Sequence, residues 1–335
     1  MADRPRRRRL RRSLLAALVT VAVAVPVSGA ARPAAVPAPV PTALGPLRDA
    51  SQAALHERYA ASRQDILAAG RAALEHGDRK RAASLRQMAS PERQFLAFDG
   101  RDGGRSVEVV GDLSAARRIA VLVPGAGVGL DAYGRLRRGA QALQRELGEG
   151  GAVVVWLGYR TPATLSPASV TDGRAAEAAP ALRMLVDRLS AARPGARISL
   201  LCHSYGSVIC ARAASGTPAD AIVLYGSPGT GVVDVAALRT GARVWAGRGG
   251  GDWISGVPNV RVRLPFGATV GFGTDPVADR FGAEVFDAGD GGHSDYLLPG
   301  SRSLTNLARI ASGRAPVEAG GASEVDHTPV GASRG

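Results

Sequence analysis

Aromatic residues and lysine are scarce in this sequence of 335 residues. Aromatic side chains make up 4% of the chain, so we see no stacking platform for nucleobases or sugar rings. Lys80 is the only lysine, and the formal net charge of +13 therefore comes almost entirely from arginine. Because the arginines are scattered and not interleaved with aromatics, this charge does not predict nucleic-acid binding. It favours only a loose association with anionic polymers of a cell envelope.

Cysteine and metal-ligand patterns are also scarce. Cys202 and Cys210 are too few for a disulfide framework. We expect Cys202 to end a strand and Cys210 to lie two turns into the next helix, so that both remain buried free thiols. No two histidines have the i, i+4 spacing of a metal site, and no Gly-Lys-Ser/Thr sequence marks a phosphate-binding loop. The sequence therefore predicts neither a metal nor a cofactor.

The first 31 residues have the composition of an export signal. Seven arginines precede an apolar stretch at residues 14–25, and small residues follow near position 30. The apolar stretch has 12 residues, which is short for a membrane span, although an uncleaved membrane anchor is the alternative. Cleavage would remove seven arginines and one aspartate and lower the net charge from +13 to +7. We expect a secreted or cell-envelope protein, with the Sec and Tat export routes both open.

Composition divides the rest of the chain into four segments. Residues 32–46 are rich in proline and alanine and should form an extended linker. Residues 47–90 have apolar side chains at helical spacing with a break near Gly77, which predicts an N-terminal helical segment that caps the main domain. Residues 91–313 form that main domain, and residues 314–335 form a flexible tail.

Eight short apolar segments of the main domain predict strands. The first two are close enough for a hairpin, and the later ones alternate with helical segments. This alternation predicts an α/β fold with a mostly parallel eight-stranded sheet and helices on both faces. Functional loops then lie at the carboxyl ends of the strands. The strand segments are QFLAFD, SVEVVGD, RIAVLVPG, AVVVWLGY, RISLLCHS, AIVLYGSPG, ARVWAG and AEVFDAG, and the helices lie at about 131–147, 174–192, 205–215 and 294–312.

Ser204 interrupts an apolar run, LLCHSYGSVIC, at the junction of the fifth strand and a helix. A nucleophile elbow, Gly-x-Ser-x-Gly, lifts a serine above the sheet on a sharp turn. Small residues are needed two before and two after the serine. Gly206 meets the second requirement, whereas Cys202 replaces the first glycine with another small residue. Ser204 is therefore the candidate nucleophile, and a buried serine at a tight turn is the alternative.

A serine nucleophile needs a base and an orienting carboxylate. In this type of fold the chain order is serine, acid, histidine. Only His293 and His327 follow Ser204, and His327 lies in the polar tail. His293 follows the last predicted strand, where the base belongs, so we predict that it is the general base.

Three aspartates could orient that histidine. Asp252 follows the seventh predicted strand and is our first choice. Asp275 is the alternative acid, although its Asp-Pro sequence is also typical of a turn. Asp234, after the sixth strand, is a further rival.

Two backbone amides should bind the developing oxyanion. One is expected from Tyr205, directly after the nucleophile. The other is expected from the loop VPGAGVGL after the third strand, where Ala126 is our first choice and Gly127 the next. Trp156, Tyr159 and Trp253 are candidates for the edge of the substrate pocket, with core packing the alternative for Trp156.

Several further motifs accompany this set. The chain resembles an actinobacterial α/β-hydrolase family of uncharacterised function with a Gly-His-Ser-Tyr-Gly nucleophile elbow. The resemblance covers about residues 50–313 and implies the α/β-hydrolase fold, with Ser204 and His293 in catalytic positions. Cys202 departs from the family's first glycine. The motifs are LLCHSYGSVIC, VLVPGAGVGLDAY, VVVWLGY, VLYGSPGTGV, FGTDP and GGHSDYLLPGSRSLTNLARIASG.

These residues favour an exported serine hydrolase that cleaves an acyl ester or a related carbonyl bond through a Ser-His-Asp triad and an acyl-enzyme. The expected partner is a small-molecule or lipid-like acyl substrate. Two alternatives stay open. The same triad could pass the acyl group to an envelope alcohol, or the fold could serve as a non-catalytic envelope-binding module.

Overall fold

A computed structural model describes residues 36–164, 166–263 and 269–318. The predicted export signal, the first part of the linker, most of the tail and His327 lie outside these residues. Within the described ranges, no helix is both long and apolar enough to cross a membrane.

Two helices precede the sheet, as predicted. Helix α1 (Gln52–Glu75) begins where the Ser51 hydroxyl accepts a hydrogen bond from the Ala54 amide, and helix α2 (Arg79–Met88) is capped in the same way by Asp78. Gly77, with φ of 86°, makes the turn between them. The two helices share a hydrophobic cluster with the main sheet, formed in part by Ile66, Ala69, Leu85, Met88, Phe95 and Phe98.

The main sheet has eight strands in the order β1-β2-β4-β3-β5-β6-β7-β10. β1 and β2 form the predicted antiparallel hairpin, and β2 also runs antiparallel to β4. All other neighbouring pairs are parallel, which confirms the mostly parallel sheet. The strands are β1 (Gln94–Asp99), β2 (Arg105–Val110), β3 (Arg118–Val123), β4 (Gly151–Leu157), β5 (Arg197–His203), β6 (Ala221–Tyr225), β7 (Arg243–Gly247) and β10 (Glu284–Val285); a separate antiparallel pair contains β8 (Val262–Arg263) and β9 (Thr269–Val270).

Helices cover both faces of this sheet because its central strands are apolar on both sides. In β3, Ile119 and Val121 face one hydrophobic cluster, whereas Ala120 and Leu122 face the other. The first cluster includes α4 (Gly173–Ala192) and α5 (Gly206–Ala213), and the second includes α3 (Tyr133–Leu147) and α6 (Arg302–Ala311). Helix α6 begins later than the predicted position 294, because residues 294–301 form turns that end at the capping Ser301.

Cys202 and Cys210 form a disulfide, so the prediction of two free thiols was wrong. The chain turns sharply at Ser204 and α5 begins at Gly206, which brings Cys210 back beside the end of β5. The two Cα atoms lie 6.4 Å apart, within disulfide range, and both cysteines are fully buried. The disulfide therefore links the end of β5 to the helix that follows it.

Removing this disulfide should destabilise the fold. The bond closes a loop with a sequence separation of 8 residues. The chain-entropy model assigns about 2–3 kcal/mol of unfolding free energy to a loop of this size. We expect the Cys202→Ala/Cys210→Ala variant to lose about that much in denaturant-induced unfolding.

The control is unfolding of both proteins in the presence of a thiol reductant, where the difference should shrink because wild type then also unfolds to a reduced chain. Equal unfolding free energies of the two proteins without reductant would contradict the prediction.

Candidate active site

Ser204 occupies a tight turn between β5 and α5. Its φ of 52° places a non-glycine residue in the left-handed region. The turn is held by two backbone hydrogen bonds, from the Ser204 amide to the Tyr225 carbonyl (3.0 Å) and from the Ser207 amide to the Ser204 carbonyl (2.9 Å). The Ser204 side chain thereby lies at the carboxyl edge of the parallel strands. A residue other than glycine keeps this backbone conformation only where the surrounding structure enforces it.

Two glycines make room for this turn. A Cβ atom on Gly206 would lie 2.4 Å from the Val123 carbonyl oxygen, and one on Gly125 would lie 2.6 Å from the Ser204 Cβ. A side chain is accepted at Cys202, two residues before the serine, because its sulfur points into the core and bonds to Cys210.

The structure brings His293 and Asp252 together with Ser204. His293 Nε2 lies 3.0 Å from Ser204 Oγ, and His293 Nδ1 lies 2.9 Å from Asp252 Oδ1 and 3.1 Å from Oδ2. The Asp252 side chain is completely buried, whereas the imidazole of His293 is 13% exposed. A serine hydroxyl, an imidazole and a carboxylate thus form one continuous hydrogen-bonded chain.

Asp252 is held by donors besides the histidine. Tyr296 donates its hydroxyl proton to Oδ2 over 2.6 Å, and the Ile254 amide donates to Oδ1 over 2.8 Å. The Gly249 amide in turn donates to the Tyr296 oxygen (3.0 Å). Burial opposes ionisation of Asp252, but hydrogen bonds from His293, Tyr296 and Ile254 outweigh it and keep the pKa of this carboxyl below its ordinary value. Asp252 is therefore an anion at neutral pH.

The rival acids make other contacts. The Asp275 carboxylate pairs with Arg248 at 2.5 Å and also accepts a hydrogen bond from the Val277 amide. Asp234 accepts a hydrogen bond from the Ala237 amide, in the turn of 3₁₀ helix that follows it. Of the three candidate aspartates, Asp252 is the one in hydrogen-bond contact with His293.

The loop after β3 is held against the serine. Tyr159 is buried, and its hydroxyl donates to the Pro124 carbonyl at 2.8 Å. The same ring stacks with the rings of Trp156 and Tyr205, and Trp156 is buried as well. Both Trp156 and Tyr159 therefore belong to the core and not to the edge of the pocket.

Both candidate oxyanion amides belong to residues next to the nucleophile or to its close neighbour. Tyr205 directly follows Ser204, and Ala126 directly follows Gly125, on which a Cβ atom would lie 2.6 Å from the Ser204 Cβ. Within the described part of the chain, the amides of Ala126 and Tyr205 donate to no protein acceptor. The Gly127 amide donates to the Pro162 carbonyl over 2.8 Å and is therefore already used. Of the two amides considered in this loop, the arrangement favours Ala126 over Gly127.

His203 and Tyr296 also belong to this site, although the sequence predicted no functional role for either. His203 Nε2 lies 2.8 Å from the main-chain oxygen of His293, and the two imidazole rings lie 4.7 Å apart. Burial, with a smaller effect of the neighbouring His293, lowers the pKa of His203 to about 4. Only weak sequence features mark these two residues as part of the site. His203 is a polar residue inside an apolar run, and Tyr296 follows His293 by three positions.

Trp253 lies at the solvent side of the site. Its indole is 4.6 Å from the His293 ring, between centroids, and the residue is 52% exposed. An apolar surface of this size beside the imidazole can contact a substrate that reaches Ser204. Trp253 therefore stays a candidate for the edge of a substrate pocket.

Other features of the described residues lie apart from this chain of hydrogen bonds. A groove of about 590 Å³ lies between α1, β2 and α3 and is lined by residues such as Tyr59, Glu108 and Arg137. Ser204, His293 and Asp252 do not line it. Among the described residues, no cluster of three or more His, Cys, Asp or Glu side chains could hold a metal ion.

The low pKa of His203 predicts a pH-dependent stability. Its ordinary value of 6.5 applies to the unfolded chain, and about 4 applies to the folded protein. The unfolded chain therefore binds the proton more tightly, so the stabilisation is complete above pH 6.5 and is lost as pH falls towards 4. We expect this loss to reach about 3 kcal/mol in wild type and to be largely absent in His203→Gln.

Urea unfolding of the two proteins at about pH 7.5 and about pH 4.5 measures the effect. The groups that face His203 are His293, Asp252, Tyr225 and Tyr296. The tyrosines do not titrate in this range, and the depressed pKa of Asp252 affects stability only below about pH 4. The same loss of stability in both proteins would show that His203 is not responsible.

Known proteins resemble this chain. Residues 99–262 match a protein family described as "Alpha/beta hydrolase". The uncharacterized protein Rv2079 of Mycobacterium tuberculosis (strain H37Rv) is 32% identical over 257 residues, covering 65% of this chain and 38% of the relative. The uncharacterized protein Mb0988c of Mycobacterium bovis is 29% identical over 186 residues, covering 49% of this chain and 70% of the relative. The chain thus spans less than two fifths of the first relative's length.

Solved structures with distant sequences also align with this chain. The serine hydrolase XC6422 of Xanthomonas campestris aligns with a TM-score of 0.42 at 19% identity, covering 67% of this chain and 93% of that protein. Esterase LipW of Mycobacterium marinum aligns with a TM-score of 0.43 at 16% identity, covering 79% of this chain and 91% of that protein. The order and direction of the strands, together with the family match at residues 99–262, give the chain the α/β-hydrolase fold.

Proposed function

We propose that this protein is an exported serine hydrolase that cleaves acyl esters through an acyl-enzyme on Ser204. The observation that carries the proposal is the hydrogen-bonded chain from Ser204 Oγ through His293 to the buried Asp252, with contacts of 3.0 and 2.9 Å. The series of hydrogen bonds begins at Ser204, whose backbone is in the left-handed region at the turn between a strand and a helix. This geometry supports a nucleophile elbow.

In the proposed first step, Ser204 Oγ forms a bond to the acyl carbon while its proton passes to His293 Nε2. The carbonyl π electrons move onto the oxygen. The imidazolium that results lies against the ionised Asp252, which keeps the Nδ1 proton in place and stabilises the positive charge. Because Tyr296 and the Ile254 amide also donate to this carboxylate, Asp252 remains an anion in a fully buried position.

The oxyanion of the tetrahedral intermediate would be bound by the amides of Tyr205 and Ala126. When the intermediate collapses, the leaving alkoxide takes the proton from His293 and departs as an alcohol. Water then gives a proton to His293, bonds to the acyl carbon and, after a second tetrahedral intermediate, releases the carboxylic acid and restores the Ser204 hydroxyl. An ester is favoured over an amide because its alcohol is the easier leaving group.

Export is supported by the disulfide and by the sequence of the N-terminus. Disulfides persist mainly in oxidising environments such as the cell exterior. The Cys202–Cys210 bond is consistent with such a location. Both features support a protein that is secreted or held at the cell envelope. The proposed substrate is an acyl ester, including a lipid-like one.

Hydrolysis of p-nitrophenyl esters of increasing acyl length tests the proposal. Wild type should hydrolyse at least the short esters with a chain-length optimum. Ser204→Ala should lower kcat by about 10⁶-fold, because it removes the nucleophile but leaves the other groups of the site in place. Asp252→Asn should lower kcat by about 10³–10⁴-fold, because it removes the anion that orients His293. Asp275→Asn is the matched control and should retain activity, since its carboxylate pairs with Arg248 and not with His293.

Assays with and without an added alcohol distinguish hydrolysis from acyl transfer. Release of p-nitrophenol beyond one equivalent per enzyme only when the alcohol is present, with the acylated alcohol as the product, would instead indicate a transferase. An inactive wild type, or a Ser204→Ala variant as active as wild type, would contradict catalysis by this site.

A further inference from the structure

We propose that His203 is a positioning residue that holds the main chain of His293 so that the imidazole stays within reach of Ser204. The inference rests on the proposed function, in which His293 is the general base. His203 would not touch the substrate. It acts through a hydrogen bond to the peptide carbonyl of the residue that does the proton transfer.

The hydrogen bond has one possible direction. His203 Nε2 lies 2.8 Å from the His293 carbonyl oxygen, and a carbonyl can only accept. Nε2 of His203 therefore carries the proton, which fixes the tautomer of the ring. Burial keeps this imidazole neutral, since it lowers the pKa of His203 to about 4.

The anchor stands on a rigid part of the molecule. His203 is the last residue of β5, which pairs with β3 on one side and β6 on the other. Ser204 is the next residue along the chain. The end of one central strand therefore supplies both the proposed nucleophile, which contacts the His293 side chain, and the donor that holds the His293 main chain.

The loop that carries His293 needs such an anchor. It contains no regular secondary structure between β10 and α6, apart from turns, and Gly291 and Gly292 directly precede the histidine. Upstream, the loop is tied through backbone hydrogen bonds from Gly250 to the Gly289 carbonyl and from Gly251 to the Asp290 carbonyl. The bond from His203 holds the main chain of His293 itself. A displacement of a catalytic group by about 1 Å can cost about 100-fold in rate.

The neutral state of His203 also suits the chemistry. Its ring lies 4.7 Å from the His293 ring, and a cation at that distance would oppose protonation of His293. The rings of Tyr225 and Tyr296, at 5.2 and 5.8 Å, complete the packing around it. A neutral donor thus holds the base without competing with it for a positive charge.

Steady-state hydrolysis of a short p-nitrophenyl ester by three variants of the full chain tests this role. His203→Leu fills the site without a donor and should lower kcat about 10- to 100-fold with KM unchanged. His203→Gln retains an N–H that can reach the same carbonyl and should recover most of the loss. Tyr225→Phe is the packing control, because it changes a ring neighbour of His203 but leaves the hydrogen bond intact, and it should lower kcat far less than His203→Leu does.

Wild-type kcat in a folded His203→Leu variant would overturn the proposal, as would equal losses of kcat in folded Leu and Gln variants. If His203→Leu does not fold, the Gln variant and an NMR measurement of the imidazole nitrogens of wild type decide. We expect the His203 proton on Nε2, and a proton on Nδ1 alone would overturn the proposal. This measurement needs no activity. A wild type without esterase activity but with the proton on Nε2 would therefore count against the proposed function and not against the hydrogen bond.

Discussion

The backbone turn at Ser204 is the constraint on which the rest of the site depends. A serine with φ of 52° is strained by about 1–3 kcal/mol, so the surrounding structure has to enforce the conformation. Gly125 and Gly206 allow the close approach of the neighbouring backbone, and the Cys202–Cys210 disulfide joins the strand before the turn to the helix after it. These features leave the hydroxyl at the edge of the sheet, where residues from distant parts of the chain can meet it.

The groups around His293 are each held in one protonation state. Asp252 has a lowered pKa because its hydrogen bonds outweigh the effect of burial, while burial and the carboxylate raise the pKa of Tyr296. His203 stays neutral because it is buried. In the account proposed here, the proton that moves is therefore the one shared between Ser204 and His293. A site of this kind separates the group that reacts from the groups that orient it.

The main sheet was predictable from sequence because its strands are short, mostly apolar segments separated by turns, and all eight of them were identified. The short pair β8 and β9 was not predicted. The start of α6 was predicted too early, because the turn residues Pro299 and Gly300 before the capping Ser301 were included in the helix. The disulfide was missed because Cys210 was placed two turns into the helix. The helix begins at Gly206, so Cys210 lies only about one turn from its start, within reach of Cys202. Sequence alone ranked Asp252 above Asp275 and Asp234, but choosing by contact requires coordinates. His203 and Tyr296 gain significance only through neighbours that are distant in sequence.

The most direct measurement of the central claim is the site of covalent modification by a fluorophosphonate. Wild type should be phosphonylated at Ser204, as identified by peptide mass mapping, and the fraction of activity lost should equal the fraction of enzyme modified. The reaction should be slower in His293→Ala, because the serine then has no base. An unmodified wild-type protein, or an adduct on a residue other than Ser204, would contradict the account.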